Sequence, residues 1–222
     1  MVEVKNIRKA FGKREVLKNI SFSANPGECV AIIGRNGCGK STLLQIMAGI
    51  TRPDSGSMRY CDREVTSDKK VLRTMCGYVP QENPLLEDVS VYDNLKLFGV
   101  RKEDLKQELL SCFELESILH RRVSRLSGGM KRRVSIACAV SHFPRVLLMD
   151  EPTTALDLYY KATIQEWMEQ YRRQQGIIII TSHDEQEIMN CDRCFLMADG
   201  VLHELSQEEK CESEIRRMII GS

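Results

Sequence analysis

Residues 34–41 have the pattern G-x₄-G-K-S, which combines glycines with a cation and a hydroxyl. Glycine lets backbone N–H groups close around phosphate oxygens, and a following helix adds the positive end of its dipole. Lys40 would then reach the β- and γ-phosphates of a nucleotide, Ser41 would hold Mg²⁺, and Thr42 would assist at the α-phosphate. An apolar run before the segment and a helical pattern after it favour this phosphate-binding loop (P-loop) over a glycine-rich turn with an exposed lysine. The predicted nucleotide-binding residues here are Gly34, Asn36, Gly37, Cys38, Gly39, Lys40, Ser41 and Thr42.

Two carboxylates follow the apolar run at residues 146–149. Asp150, at the end of a strand, can hold Mg²⁺ through water. Glu151, one residue later, can point towards a water molecule that attacks the γ-phosphate. A strand that ends in two acids is common, so this interpretation depends on the position of the pair after a P-loop.

The segment Ser127-Gly128-Gly129 opens a predicted helix in a basic part of the chain. Residues 117–149 contain no Asp or Glu, and glycines at a helix N-terminus in such a positive field form an anion site. A glycine N-cap beside a solvated basic face is the alternative. A nucleic-acid patch is disfavoured, because no aromatic residues interleave with the charges. The basic residues are Arg121, Arg122, Arg125, Lys131, Arg132, Arg133 and Arg145.

The composition resembles that of an ordinary globular protein. The chain has 222 residues, of which 42% are hydrophobic and 28% charged, and its net charge is +1. This length predicts one or two compact units, and the charge shows no basic excess that would indicate nucleic acid. No apolar run approaches the roughly 20 residues of a membrane span, and residues 1–5 alternate like a strand rather than a signal peptide. We therefore expect a cytoplasmic protein whose membrane role would depend on a partner.

The nine cysteines are an odd number and show no disulfide framework. Most lie inside apolar segments, where reduced cysteine behaves as a small hydrophobe. Cys191 and Cys194 form a C-x-x-C, but no second pair accompanies it, so packing is favoured over a zinc or redox site. Oxidation of Cys38 could block nucleotide binding at the P-loop. The favoured alternative is that Cys38 is simply a small residue that fills the turn. These features favour a reducing compartment.

Short β-branched runs alternate with longer helical patterns, which predicts a sheet flanked by helices. Residues 29–34, 146–149 and 177–180 are continuously apolar, as expected for buried parallel strands. From about residue 82 to 125 short helices dominate, which predicts a helical insertion. The predicted strands are 2–7, 20–23, 29–34, 77–79, 145–150, 177–181, 194–198 and 201–205. Helices are predicted to begin at Gly39, Val91, Lys102, Ser127, Asp157, Asp184 and Gln207.

Together these motifs resemble the nucleotide-binding subunit of the ATP-binding cassette (ABC) family. The resemblance covers essentially the whole chain and keeps the order of the family's motifs. It includes Leu126-Ser127-Gly128-Gly129-Met130, which resembles the signature that distinguishes this family from other P-loop proteins.

The resemblance implies roles for individual residues. Phe11 would stack on adenine unless it is an ordinary core aromatic, and Gln81 would sense Mg²⁺ and face the partner. Asp150 and Glu151 match the metal-binding acid and the catalytic glutamate, and His183 matches the histidine that contacts the γ-phosphate. Residues 155–157 match the loop that crosses to the other subunit. The predicted catalytic residues are Glu151, His183, Gln81 and Lys40; the metal ligands are Ser41, Gln81 and Asp150; and Phe11, Ser127, Gly128, Gly129 and Asp157 join the P-loop in binding the nucleotide.

The implied fold is α/β, with a P-loop NTPase (RecA-like) core, an N-terminal antiparallel β layer and an inserted helical subdomain near residues 82–142, all within one ABC ATPase domain over residues 1–222. ATP and Mg²⁺ are the implied cofactors. Two copies, or this chain and a related cassette, would clamp together on ATP and power a separate membrane-spanning permease from the inner face of the cell membrane.

The direction and the alternatives also follow from the resemblance. Met130 followed by Lys131-Arg132-Arg133 looks more like the ATPases of exporters than like those of importers. One alternative is a soluble ABC ATPase that does not transport, such as an iron–sulfur assembly factor. Another is an ATP-binding regulator that does not hydrolyse, against which Glu151 and His183 argue.

Overall fold

The computed structural model describes residues 1–100, 107–154 and 156–211, with the backbone alone for residues 107 and 108, and contains two β-sheets. In the larger sheet, neighbouring strands are parallel except for the last two strands of the chain, which pair with each other antiparallel. The smaller sheet is antiparallel. The predicted α/β fold with an antiparallel layer is confirmed. The smaller sheet has the order β2 (Arg14–Ala24), β1 (Val2–Phe11), β4 (Ser55–Tyr60), β5 (Arg63–Glu64). The larger has the order β6 (Cys76–Val79), β7 (Val146–Asp150), β8 (Ile177–Thr181), β3 (Cys29–Ile33), β9 (Arg193–Ala198), β10 (Val201–Glu204).

In chain order, each α-helix of the described residues comes between two strands of the larger sheet. Several of these helices pack against that sheet. They are α1 (Lys40–Met47), α2 (Lys69–Met75), α3 (Val91–Leu97), α4 (Gln107–Cys112), α5 (Gly128–Val140), α6 (Leu158–Arg173) and α7 (Glu185–Met189). Helices α3 to α5 occupy the chain between β6 and β7, where a helical insertion was expected. That residues 82–142 form a separate subdomain stays a prediction. Among the described helices, none has both the length and the apolar character that a membrane crossing requires.

The central strands β3, β7 and β8 are buried at every residue. Successive side chains of a strand point to opposite faces, so each strand contributes to two hydrophobic clusters. Ala31 and Ile33 of β3 join the cluster formed with α3, α5 and α6, whereas Val30 and Ile32 join the one formed with α1 and the smaller sheet. Burial on both faces explains why these strands are continuously apolar in the sequence.

The parallel arrangement brings the chemistry-bearing loops to one edge of the sheet. The P-loop follows β3, Gln81 follows β6, Glu151 follows β7, and His183 follows β8. Because these strands run in the same direction, their carboxyl ends and the loops after them lie along the same edge, where ligands of open α/β sheets bind.

Several elements differ from the predictions, the unpredicted short strand Arg63–Glu64 among them. The strand Ser55–Tyr60 was not predicted, since only Met58 and Tyr60 give it an apolar alternation; it forms because it pairs with β1. Helix α2 was also missed, although Asp68 caps it by accepting hydrogen bonds from the N–H groups of two residues in its first turn. A helix was predicted to begin at Gln207, but residues 207–209 form a turn. The helix start predicted at Lys102 lies outside the described residues.

Candidate nucleotide-binding site

The P-loop leaves β3 through a position that only glycine fits. Gly34 has φ of 146°, and a Cβ atom there would lie 2.4 Å from the carbonyl oxygen of Met197 and 3.0 Å from Cys38 Sγ. The backbone therefore passes directly against β9. This close approach explains why the first residue of the motif is glycine, since a side chain there would collide with β9.

The loop ends at the N-terminus of α1, which offers unpaired backbone donors. Its N-cap is Gly39 (φ 116°), which has no side chain to cap the helix, and no acidic residue lies in the first turn. The first N–H groups of the helix and its dipole are thus available to an anion. Beside them, Lys40 is 6% exposed, and its Nζ donates to the carbonyls of Gly34 (2.6 Å) and Arg35 (3.2 Å). An ammonium has three protons, so Lys40 can still donate to a phosphate.

Thr181 of β8 forms hydrogen bonds with the Asp150 carboxylate and with the backbone of Glu151. Asp150 is 3% exposed and accepts a hydrogen bond from the Thr181 hydroxyl. Glu151 has φ of 51°, an uncommon conformation for a side-chain-bearing residue, and its N–H donates to the Thr181 carbonyl at 3.0 Å. The two adjacent carboxylates therefore differ in their surroundings: Asp150 is buried, whereas Glu151 lines a cavity.

His183 faces Glu151 across the site. Its Nε2 atom lies 3.4 Å from Glu151 Oε1 but is buried and makes no hydrogen bond within the described part of the chain. Burial lowers the pKa of His183, and the Lys40 ammonium lowers it further, against the opposite effect of Glu151. A neutral imidazole with an unpartnered nitrogen beside Lys40 is suited to a phosphate oxygen.

One cavity of about 490 Å³ gathers ten of the predicted residues. Phe11 lies on its wall and is 53% exposed, so it is not a core aromatic; the Lys9 ammonium lies 5.4 Å from its ring centre. Arg14 also lines the cavity and donates to the Gly37 carbonyl at 3.2 Å. Arg14 was not predicted as a site residue, since no motif in the sequence marks it. The predicted residues on this wall are Phe11, Asn36, Gly37, Gly39, Lys40, Ser41, Thr42, Gln81, Glu151 and His183.

The other predicted site residues are not among those that line this cavity. Cys38 lines a neighbouring cavity of about 470 Å³. Ser127 caps α5, with its hydroxyl accepting from the Met130 N–H at 3.3 Å, so Gly128 and Gly129 form the first turn of that helix. Asp157 caps α6 in the same way, through the Tyr160 N–H at 3.0 Å.

The C-x-x-C cysteines lie in the core. Cys191 is 4% exposed and Cys194 is fully buried, and Cys191 Sγ lies 3.2 Å from Cys29 Sγ. Over residues 1–100, 107–154 and 156–211, no group of three or more His, Cys, Asp or Glu side chains is arranged to hold a metal ion. Ala155, in the loop expected to cross to another subunit, lies outside these ranges.

Comparisons with known proteins agree on one family. A family profile described as ABC transporter matches residues 17–154. The Nod factor export ATP-binding protein I of Paraburkholderia xenovorans is 36% identical over 207 residues, which cover 90% of this chain and 68% of the relative. The methionine import ATP-binding protein MetN of Clostridioides difficile is 36% identical over 223 residues, which cover 95% and 70%. A dimeric ATP-binding cassette in a post-hydrolysis state, bound to ADP and Pi, has a TM-score of 0.83 at 26% identity and is matched over 93% of this chain and 98% of that one.

Proposed function

Because the chain belongs to the ABC transporter family, we propose that it is an ATP-binding and ATP-hydrolysing subunit that powers a membrane transporter. The observation that carries the proposal is that one cavity gathers Lys40, Gln81, Glu151 and His183 beside the uncapped N-terminus of α1. A cation, a set of free N–H groups, an unpartnered imidazole nitrogen and a carboxylate together suit a triphosphate and an attacking water.

The nucleotide would lie with its phosphates at the N-terminus of α1. Lys40 and the first N–H groups of the helix bind the β- and γ-phosphates. The exposed face of Phe11 is free to stack on adenine at the outer end of the cavity.

Mg²⁺ fits the oxygen atoms present, and the proposed ligands are Ser41, Gln81 and Asp150. Hydroxyl, amide and carboxylate oxygens are the hard ligands that this ion prefers. Ser41 and Gln81 line the cavity, and Asp150 is buried at the end of β7 with one oxygen engaged by Thr181. When bound, the ion would neutralise negative charge on the phosphates.

Hydrolysis is assigned to Glu151 as general base. Its carboxylate accepts a proton from the water that attacks the γ-phosphate, and the Thr154 hydroxyl, 3.1 Å away, orients it. The neutral His183 imidazole contacts the γ-phosphate and holds it beside that water. Gln81 approaches from the adjacent loop and completes the wall.

The signature segment lies outside the cavity of its own chain, so we place it at the site of a second copy or of a related cassette. Ser127 caps α5 through its hydroxyl, and the N–H groups of Gly128 and Gly129, in the first turn, have no acceptor within the helix. In a two-fold dimer each signature would face the partner's ATP.

A groove of about 870 Å³ between α2, β6 and α3 is the proposed docking site for a helix of the membrane-spanning permease. Leu97 and Phe98 on its rim are 65% and 40% exposed, which is unusual for large apolar side chains at one place. Pro80 lines this groove while the adjacent Gln81 lines the nucleotide cavity, so a docked helix would contact the loop that reaches ATP. This partner would hold the chain at the inner face of the cell membrane.

We propose export as the direction of transport, on the Met130-Lys131-Arg132-Arg133 sequence. Relatives named for export and for import both reach 36% identity, so the direction must be tested by transport itself.

Two experiments test the proposal. The purified chain should hydrolyse ATP with Mg²⁺, and absence of any hydrolysis by a chain that binds ATP would contradict the enzymatic part. The chain should also purify with a membrane protein from detergent-solubilised cells, and Leu97→Asp should abolish this while leaving ATPase activity unchanged. Purification without a membrane protein under all conditions would favour the soluble alternative.

A further inference from the structure

Arg132 lies one turn into α5, and its guanidinium reaches the ends of two strands rather than solvent. The residue is only 4% exposed. Its Nη2 donates to the carbonyls of Asp150 and Glu151, both at 2.7 Å, and its Nε donates to the carbonyl of Pro152 at 2.9 Å. These three acceptors are consecutive residues, the last of β7 and the two that follow it.

The same guanidinium also reaches the chain that follows β6. Arg132 Nη1 donates to the carbonyl of Pro80 and, at 3.4 Å, to that of Gln81. The planar fork of arginine carries five N–H protons in fixed directions, so one side chain can serve both loops at once. One residue thus joins the loop carrying Gln81, the loop carrying Glu151, and the helix that begins with the signature segment.

These contacts matter most for Glu151, whose backbone is in an uncommon conformation. A side-chain-bearing residue at φ of 51° persists only when its surroundings hold it. The N–H of Glu151 is held by Thr181, and its carbonyl is held by Arg132. Without Arg132, the Glu151 carbonyl would lose its 2.7 Å hydrogen bond and keep, among the described residues, only the longer one from the Thr154 N–H at 3.4 Å.

We propose that Arg132 is a positioning residue for ATP hydrolysis, which holds the Gln81 and Glu151 loops in a fixed arrangement relative to the signature helix. The inference rests on the proposed function of Glu151 and Gln81. It assigns to Arg132 a role distinct from that of a surface cation, since its charge and all three of its nitrogens face backbone carbonyls inside the chain.

The neighbouring Arg133 provides a matched control. It is equally buried, at 3% exposed, and lies on the same helix. Its hydrogen bonds go to the Phe113 carbonyl (2.9 Å) and to Glu114 (3.1 Å), which belong to the helical stretch and not to the site. Arg→Lys at either position keeps the charge but removes the planar fork.

The test compares Arg132→Lys with Arg133→Lys in the full chain. In Arg132→Lys, kcat should fall about tenfold or more while the KM for ATP stays within about twofold, since a misplaced base lowers the rate and not the binding. In Arg133→Lys, kcat should stay within about twofold even if the melting temperature falls. A purely structural role would lower the melting temperature in both without separating kcat from KM.

A second readout does not depend on activity. Hydrogen exchange measured by mass spectrometry should show faster deuterium uptake in peptides covering residues 76–86 and 146–154 of Arg132→Lys, and not of Arg133→Lys. Unchanged uptake in both peptides, or a kcat within about twofold of wild type, would overturn the proposal. If the wild-type chain does not hydrolyse ATP, the proposed function fails, and the exchange result alone decides whether Arg132 positions the loops. If Arg132→Lys does not fold, Arg132→Gln is measured in its place, and unfolding of both would overturn the positioning role.

Discussion

Replacing Glu151 with Gln removes the proposed general base with the least change in shape. The amide is isosteric with the carboxylate, and the backbone turn at φ of 51° is held by Thr181 and Arg132 rather than by the side chain. The Thr154 hydroxyl, which donates to Glu151 Oε2 at 3.1 Å, can donate to the amide oxygen instead. We therefore expect the P-loop and the rest of the cavity to remain as they are.

The expected loss follows from what a general base contributes. Proton transfer to a positioned side chain accelerates a reaction by about 10²–10⁴, which corresponds to about 3–5 kcal/mol of transition-state stabilisation. The amide cannot accept the proton, so kcat should fall by about this factor. Affinity for ATP should stay within about twofold, because Lys40, the α1 N-terminus and Phe11 are unchanged.

The assay combines steady-state phosphate release with nucleotide binding and size exclusion. In the variant, ATP with Mg²⁺ should accumulate unhydrolysed in a dimer, and ADP should not support that dimer. Glu208→Gln is a matched control, since this substitution removes the same charge at an exposed residue. Turnover close to wild type in Glu151→Gln would refute the assignment, and equal dimerisation with ADP would refute the account in which the γ-phosphate joins the two chains.

Three further outcomes are expected. Lys40→Ala should weaken ATP binding by about tenfold or more in a fluorescence titration, since a charge-assisted hydrogen bond to phosphate disappears, and unchanged affinity would contradict the P-loop assignment. Gly129→Asp should abolish ATPase activity although each subunit still binds ATP, and mixing it with Lys40→Ala should restore part of the activity if the two sites act independently; wild-type activity of Gly129→Asp alone would exclude contact with the γ-phosphate. Burial lowers the pKa of His142, so the unfolded chain binds more protons below its ordinary pKa of about 6.5 and acid destabilises the fold; His142→Gln should therefore lose less melting temperature than wild type between pH 7.5 and 5.5, as calorimetry can measure.

Local patterns in the sequence predicted most strands of the larger sheet and most residues of the candidate site. The strand Ile177–Thr181 has the predicted bounds, because four isoleucines in a row can be satisfied only by burial on both faces. The P-loop and the acids after β7 were also found locally. In each of these two motifs, the glycine, lysine or carboxylate residues lie at fixed spacings within one short segment of the chain.

Pairing between distant segments was not predictable in this way. The strand Ser55–Tyr60 has only two buried apolar side chains, and it becomes a strand because β1 supplies hydrogen-bond partners some 50 residues away in the chain. Arg14 reaches the cavity because the β1–β2 hairpin lies beside the P-loop, which no local pattern records.

The basic stretch shows the same limit most clearly. From the sequence, Arg132 and Arg133 are two of seven cations around the signature segment, and a solvated basic face was one interpretation of them. The structure buries both, at 4% and 3% exposed. The carbonyls that accept from Arg132 lie at the ends of two strands that are adjacent only in the folded sheet, so the sequence determined the charge and the tertiary structure alone decided where it points.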